Sequence, residues 1–230
     1  MPDHSQLTRK QVSDAVSPLG WRLVLGAVYT EVDVPSLVQS AEVATIAAAG
    51  IGTDGQDRLT VDIRAERALL RLMPPLGGLV TTLEVRLARA VSEALASRGF
   101  TTGPGSGDRA GRLQGIEIAI DAMDIGKVRP FWQAVTGYIA EVGPSDLTAG
   151  LIDPNGRGPA IWFQQMDEPR PQRSRIHIDV DVPHDEGEVR VRAAIAAGGT
   201  LLSDTRAPAF WVLADPEGNE ACVCTWQGRD

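Results

Sequence analysis

Three side chains of proton-transfer type stand at alternate positions in Arg175-Ile-His-Ile-Asp-Val-Asp-Val182: His177, Asp179 and Asp181. Strand side chains point alternately to opposite faces, so these three share one face and Ile176, Ile178, Val180 and Val182 take the other. An imidazole titrates near neutrality, and a carboxylate beside it can hold its tautomer, which is the equipment of general acid–base chemistry. Upstream, Gly115-Ile-Glu-Ile-Ala-Ile-Asp121 repeats the arrangement, with Glu117 among small or acidic neighbours. On an apolar strand a desolvated Glu117 would favour its protonated form, a property that suits a general acid or base. The chemistry expected here is therefore proton transfer by His177, Glu117 and Asp179.

Other side chains can complete such a site. Trp162 and Trp211 can stack on a flat ligand or pack in the core. Gln164 offers a neutral hydrogen-bonding group, and Cys222 reads either as a thiol facing the site or as a small buried hydrophobe. Cys222 and Cys224 are the chain's two cysteines, and one intervening residue makes too tight a loop for a mutual disulfide. Nothing in this usage implies an oxidising compartment.

The elements that must position these groups follow from periodicity and punctuation. Helices are expected over Leu7 to Val16, with Thr8 as cap, over Ser36 to Ala49, and from Thr81 or Thr82 to Gly99. Strands are expected within Trp21 to Val34, over Leu59 to Ile63 and over Arg67 to Leu72, giving an α-β-β-α-β-β-α order for residues 1–100. Residues 101–111, with four glycines and a proline, read as a linker. Residues 112–230 then carry a strand at 115–122, a helix at 124–136 and strands near 138–143, 148–153 and 160–166. A strand at 175–182, a helix at 185–197 and strands near 200–205, 210–214 and 220–226 repeat that βαβββ order. The fold class is α+β.

Bulk properties exclude some partners. The net charge of −8 opposes phosphate-backbone binding, so no nucleic-acid partner is expected. Residues 1–102 hold 10 basic and 11 acidic side chains, against 12 and 19 in the remainder, so the acidic excess lies C-terminally. That excess is a solvated surface or an attraction for a cationic ligand. No apolar run approaches the roughly 20 residues of a membrane helix, and the polar start Met1-Pro-Asp-His-Ser has no apolar signal core. The expected location is the cytoplasm.

Pro130-Phe-Trp132 with Gly137-Tyr138, Ile161-Trp-Phe-Gln164, Arg175-Ile-His-Ile-Asp-Val180 and Asp215-Pro-Glu-Gly-Asn-Glu220 followed by Cys222 resemble, in that order, the vicinal-oxygen-chelate superfamily, and more narrowly its glyoxalase-like domains. The resemblance covers most of residues 112–228. It implies a cup-shaped sheet with the pocket on its inner face. Metal-dependent members hold a divalent ion with one His, Gln or Glu from each of four strands. Carried onto this chain, those positions fall at Gly115, Trp162, His177 and Cys222, with Glu117 and Glu220 as substitutes one strand-repeat away. Two donors, His177 and Cys222, make a poor site, so no metal and no other cofactor is expected.

Residues 1–100 resemble pterin-4a-carbinolamine dehydratase through the element order, Gly20-Trp21, Gly77-Gly-Leu79 and Leu87-Ala-Arg-Ala90. The family's His-His-Pro positions read Asp57-Arg58-Leu59 here, and residues 5–176 contain no histidine. That half is expected to be catalytically degenerate, and the resemblance implies a homodimer.

Three functions are compatible with these readings. The first is a metal-independent lyase, isomerase or cyclase acting on a small molecule, with a place in secondary metabolism. The second is a protein that sequesters a small ligand in the manner of the superfamily's resistance members. The third is a protein whose activity follows its dehydratase-like half.

Overall fold

A computed structural model describes residues 5–105, 113–142, 150–170, 172 and 175–228. The chain divides into two compact units, Met1–Gly115 and Ile116–Asp230.

The first unit is a four-stranded sheet in the order β1-β2-β4-β3, with β1 Arg22–Val24, β2 Ala27–Asp33, β3 Leu59–Arg64 and β4 Arg67–Leu72, all antiparallel. Helices α1 Arg9–Val16, α2 Leu37–Gly50 and α3 Thr82–Ala96 complete it. Thr8 and Thr81 each begin a helix with a reciprocal capping box, the second using Glu84. Val43 and Ala47 of α2 and Leu87, Val91 and Leu95 of α3 meet Leu70 and Leu72 of β4 in one apolar core. Trp21 is fully buried there and donates its indole N–H to Ser92 Oγ at 2.9 Å.

The expected linker begins later than its composition suggests. Gly103 exchanges backbone hydrogen bonds with Glu31 of β2, at 2.7 and 3.0 Å, and Thr102 donates its hydroxyl to Leu19 O. Thr102 in turn passes so close to Gly20 that a Cβ there would lie 2.3 Å from its carbonyl oxygen, so residues 101–105 belong to the first unit. Residues 106–111 of the expected linker, and the expected strand positions 143, 148 and 149, lie outside the described residues.

The second unit contains the expected repeat. One copy runs β5 Glu117–Ala122, α4 Ile125–Thr136, β6 Ile139–Ala140, β7 Leu151–Ile152 and β8 Ala160–Gln165. The other runs β9 Ile178–Asp181, α5 Gly187–Ala196, β10 Thr200–Arg206, β11 Phe210–Ala214 and β12 Glu220–Cys224. Each copy folds a sheet in which its first and fourth strands pair in parallel: β5-β8-β7-β6 and β9-β12-β11-β10. Both sheets are mixed, and both leave their first strand, β5 or β9, as an edge. The helices cover one face of each sheet, where Phe131, Trp132, Val135, Ile161, Val191, Leu213 and Val223 form the core. Among the described residues no helix is long and apolar enough to cross a membrane.

Beside the shared apolar core, two carboxylates join the copies. Asp215, 3 % exposed, accepts hydrogen bonds from the backbone N–H of Glu217 and Asn219, from Asn219 Nδ2 and from Trp132 Nε1 on α4, at 2.8–3.0 Å. Glu217, held in that turn, accepts from the backbone N–H of Met123 and Asp124 at the start of α4, at 2.7 Å each. Asp215→Ala strands four donors, so it should lower the unfolding free energy by about 3 kcal/mol in urea titration. A loss below about 1 kcal/mol would show that the turn holds without it.

Candidate functional site

The parallel registers assign every side chain of the second unit to a face. Ala119 lies opposite Trp162 and Asp121 opposite Gln164, so Glu117, Ala119, Asp121, Trp162 and Gln164 share the face turned away from α4. In the other sheet Cys222 lies opposite Asp179 and Cys224 opposite Asp181, on the corresponding face. The two copies therefore match Glu117 with His177, and Trp162 with Cys222. This corrects the expectation at Gly115: the position equivalent to His177 is Glu117.

Three of the expected residues converge. His177 Nε2 lies 3.3 Å from Asp179 Oδ1, and both side chains are about half exposed. Cys222, 7 % exposed, donates its thiol proton to the same carboxylate. Burial first, and then the Asp179 charge and this hydrogen bond, push the Cys222 thiol up to about 12, so the sulfur keeps its proton at neutral pH. Cys224 and Glu220 add to the same effect. Asp179 is thus an acceptor shared by an imidazole and a thiol. Alternation along the strand pairs it with His177 but gives no sign of its hold on Cys222.

Other expectations need correction. Trp211 lies opposite Val223, on the helix-facing side, and is 8 % exposed within the core beside Gly187 of α5. It leaves the ligand-binding set. Glu117 is exposed, so the desolvation expected of it is absent. Trp162, 41 % exposed, and Gln164, also exposed, sit on the Glu117 sheet.

A cavity of about 960 Å³ runs along the free edge of β5, lined by Glu117 through Asp121 and, across from it, by Arg175, Ile176 and Ile178. Glu220 also lines it and is 8 % exposed. Glu220 alternates with Cys222 along β12, and Cys222 lies opposite Asp179. Glu220 therefore belongs both to the cavity wall and to the face carrying His177, Asp179 and Cys222. Its signal in the sequence was its position two residues before Cys222.

A carboxylate holds the equivalent turn of the first copy as well. Burial raises the Asp153 carboxyl, but the backbone N–H groups of Gly158, Asn155 and Arg157 outweigh this and hold it below the usual range. The recurrent Asp-Pro-x-Gly of residues 153–156 and 215–218 is thus a device for turning the chain.

The superfamily's divalent ion can be tested against these donors. His177, Asp179 and Cys222 are the one group among the described residues whose possible ligand atoms lie within 4.8 Å of one another. Trp162 has no donor for a metal, and Glu117 does not join the group. All three donors stand on or beside β9 and β12 of the second sheet. The set does not fit an ion ligated from both sheets.

Residues 117–224 match the family model described as a glyoxalase-like domain. No curated protein matches the chain. Among solved structures, a glyoxalase/bleomycin resistance protein/dioxygenase family enzyme from Burkholderia phytofirmans PsJN is 25% identical, over 47% of this chain and 95% of its own, with a TM-score of 0.39. The hypothetical protein SA1046 from S. aureus is 16% identical, over 50% and 95%, also at 0.39. The fosfomycin resistance protein FosX from Mesorhizobium loti is 11% identical, over 50% and 92%, again at 0.39.

Two measurements check the site. Purified without chelator, the protein should hold well under one equivalent of Zn, Fe, Mn or Ni by plasma mass spectrometry. A stoichiometric ion, retained on dialysis and lost in Cys222→Ser, would reverse the assignment. Cys222 should alkylate with iodoacetamide at pH 8 far more slowly than a free thiol, since a group raised to about 12 is about one part in ten thousand thiolate there. Asp179→Asn removes the repelling charge, so alkylation should quicken; an unchanged rate would rule out Asp179 as a cause.

Proposed function

We propose, from a C-terminal unit that carries a glyoxalase-like domain over residues 117–224, that this protein is a small-molecule enzyme of lyase or isomerase type working by proton transfer, with no metal in that step. The observation that carries the reading is the His177–Asp179 pair on the open face of its sheet, with Nε2 and Oδ1 3.3 Å apart. Asp179 keeps the neutral ring's proton on Nε2 and leaves Nδ1 to take a proton from the substrate. The imidazolium so formed faces the Asp179 carboxylate, which stabilises it. Returning the proton to a different substrate atom completes an isomerisation, and giving it to a departing group completes an elimination. Cys222 has no nucleophilic part, because its proton is held; its hydrogen bond orients Asp179.

Trp162 favours a second reading. Its indole is exposed on the Glu117 sheet with only Ala119 opposite, a flat surface on which a ligand can stack without reaction. In both readings the N-terminal unit is an accessory module. At the positions that the dehydratase resemblance gives to catalytic histidines, Arg58 is committed to an ion pair with the buried Glu84.

Deuterium exchange separates the readings even while the substrate is unidentified. A panel of α-hydroxyketones in D₂O, followed by proton NMR, should show protein-dependent loss of the carbon-bound proton from at least one member. His177→Ala should slow that exchange by about 10²-fold or more, and Asp179→Asn by a smaller factor, with thermal unfolding unchanged. Undiminished exchange in His177→Ala would remove the residue from the chemistry, and tight binding with no exchange would favour sequestration.

A further inference from the structure

The cavity along β5 lies outside the chemistry proposed at His177. Its volume of about 960 Å³ is that of a pocket for a drug-sized molecule, and neither His177 nor Asp179 is among the described residues that line it. Ile118, Ile120, Ile176, Ile178 and the indole of Trp132 make much of its wall apolar. Most of its charged groups are already committed. Asp121 pairs with Arg170 at 3.7 Å, and Asp124 with Lys127 at 2.9 Å. Glu217 accepts from the backbone N–H groups of Met123 and Asp124, and Glu220 has a partner of its own. Two charges remain, one of each sign. Glu117, at the start of β5, and Arg175, on the run that leads into β9, line the cavity with exposed side chains. Neither side chain has a hydrogen bond or ion pair among the described residues.

We infer that this cavity is a ligand site in its own right, for a small zwitterion: an apolar body with an ammonium group held by Glu117 and a carboxylate held by Arg175. A charge already paired offers a ligand little, because an incoming ion must first break the existing pair. An uncommitted charge offers its whole attraction, and a planar guanidinium takes a carboxylate through two parallel N–H bonds. Glu117 and Arg175 do not pair with each other, so their charges stand apart in the cavity. A ligand charged at the two ends of its body can meet both. The apolar wall lowers the local dielectric and strengthens each contact over its value in water. Each pair, made by an exposed side chain, is modest alone. A simple amine or a simple acid gains one pair and leaves the other protein charge unanswered. The zwitterion gains both, so the selection is for the combination of charges and not for either sign. This site goes beyond proton transfer at His177 and does not depend on it.

Isothermal titration of the full chain at pH 7 with 8-aminooctanoate, octylamine and octanoate tests this, since the three share an apolar body and differ in their charged ends. The zwitterion should bind about fivefold more tightly than either singly charged probe. Glu117→Gln should weaken 8-aminooctanoate and octylamine about fivefold and leave octanoate within about twofold. Arg175→Gln should weaken 8-aminooctanoate and octanoate and leave octylamine within about twofold. Both substitutions fall on exposed side chains, and unchanged thermal unfolding checks that each variant is folded. His177→Ala should leave the affinity for 8-aminooctanoate within about twofold. A loss of binding there would put the ligand on the His177 face and overturn the assignment. Octylamine or octanoate binding as tightly as the zwitterion overturns the pairing of charges. If none of the three probes binds to folded protein, the cavity is not a ligand site and the inference is lost, while proton transfer at His177 stands or falls by its own exchange measurement.

Discussion

The second unit depends on the carboxylate of Asp215. Two βαβββ copies, each with a free edge at its first strand, do not define a site until their mutual position is set. Asp215 sets it by accepting four N–H donors, three from its own turn and one from Trp132 on the helix of the other copy. The turn thus shaped presents Glu217 to the start of that same helix. A buried carboxylate survives desolvation when donors surround it, and here those donors come from both halves of the unit.

The copies share a skeleton but not a chemistry. Glu117 and Trp162 stand in one where His177 and Cys222 stand in the other, at matching register positions. Asp179 faces Cys222 across the strands, where the first copy has Ala119 facing Trp162. That exchange of alanine for aspartate lets His177 and the thiol share one acceptor. A metal held equally by both copies would require a donor at Trp162, whose side chain has none.

Much of this was legible in the sequence, for physical reasons. Alternation in 175–182 put His177 and Asp179 on one face because period two has no alternative along a strand, and the duplicated pattern at 115–122 gave the repeat. Trp211 stayed open between stacking on a ligand and packing in the core, because a strand's faces follow only once its register is known. Composition around β11 cannot supply that register, which comes from Trp211 pairing with Val223. Glu117 was misjudged because an apolar strand reads as buried, whereas β5 is an edge strand with open space beside it. Glu220 and Asp215 act through neighbours distant in sequence, so the Asp-Pro-Glu-Gly-Asn-Glu run gave no sign of which acid held the turn and which faced the cavity.

In the first unit a buried ion pair fixes the start of a helix. Glu84 begins α3 by accepting from the backbone N–H and hydroxyl of Thr81, at 2.7 and 2.6 Å, and also pairs with Arg58. A fully buried carboxylate needs a cation and donors together, and Arg58 with Thr81 supplies both. The guanidinium cannot give up its proton in a folded protein, so its charge stays with Glu84. The arrangement ties the first turn of α3 to the residue that precedes β3.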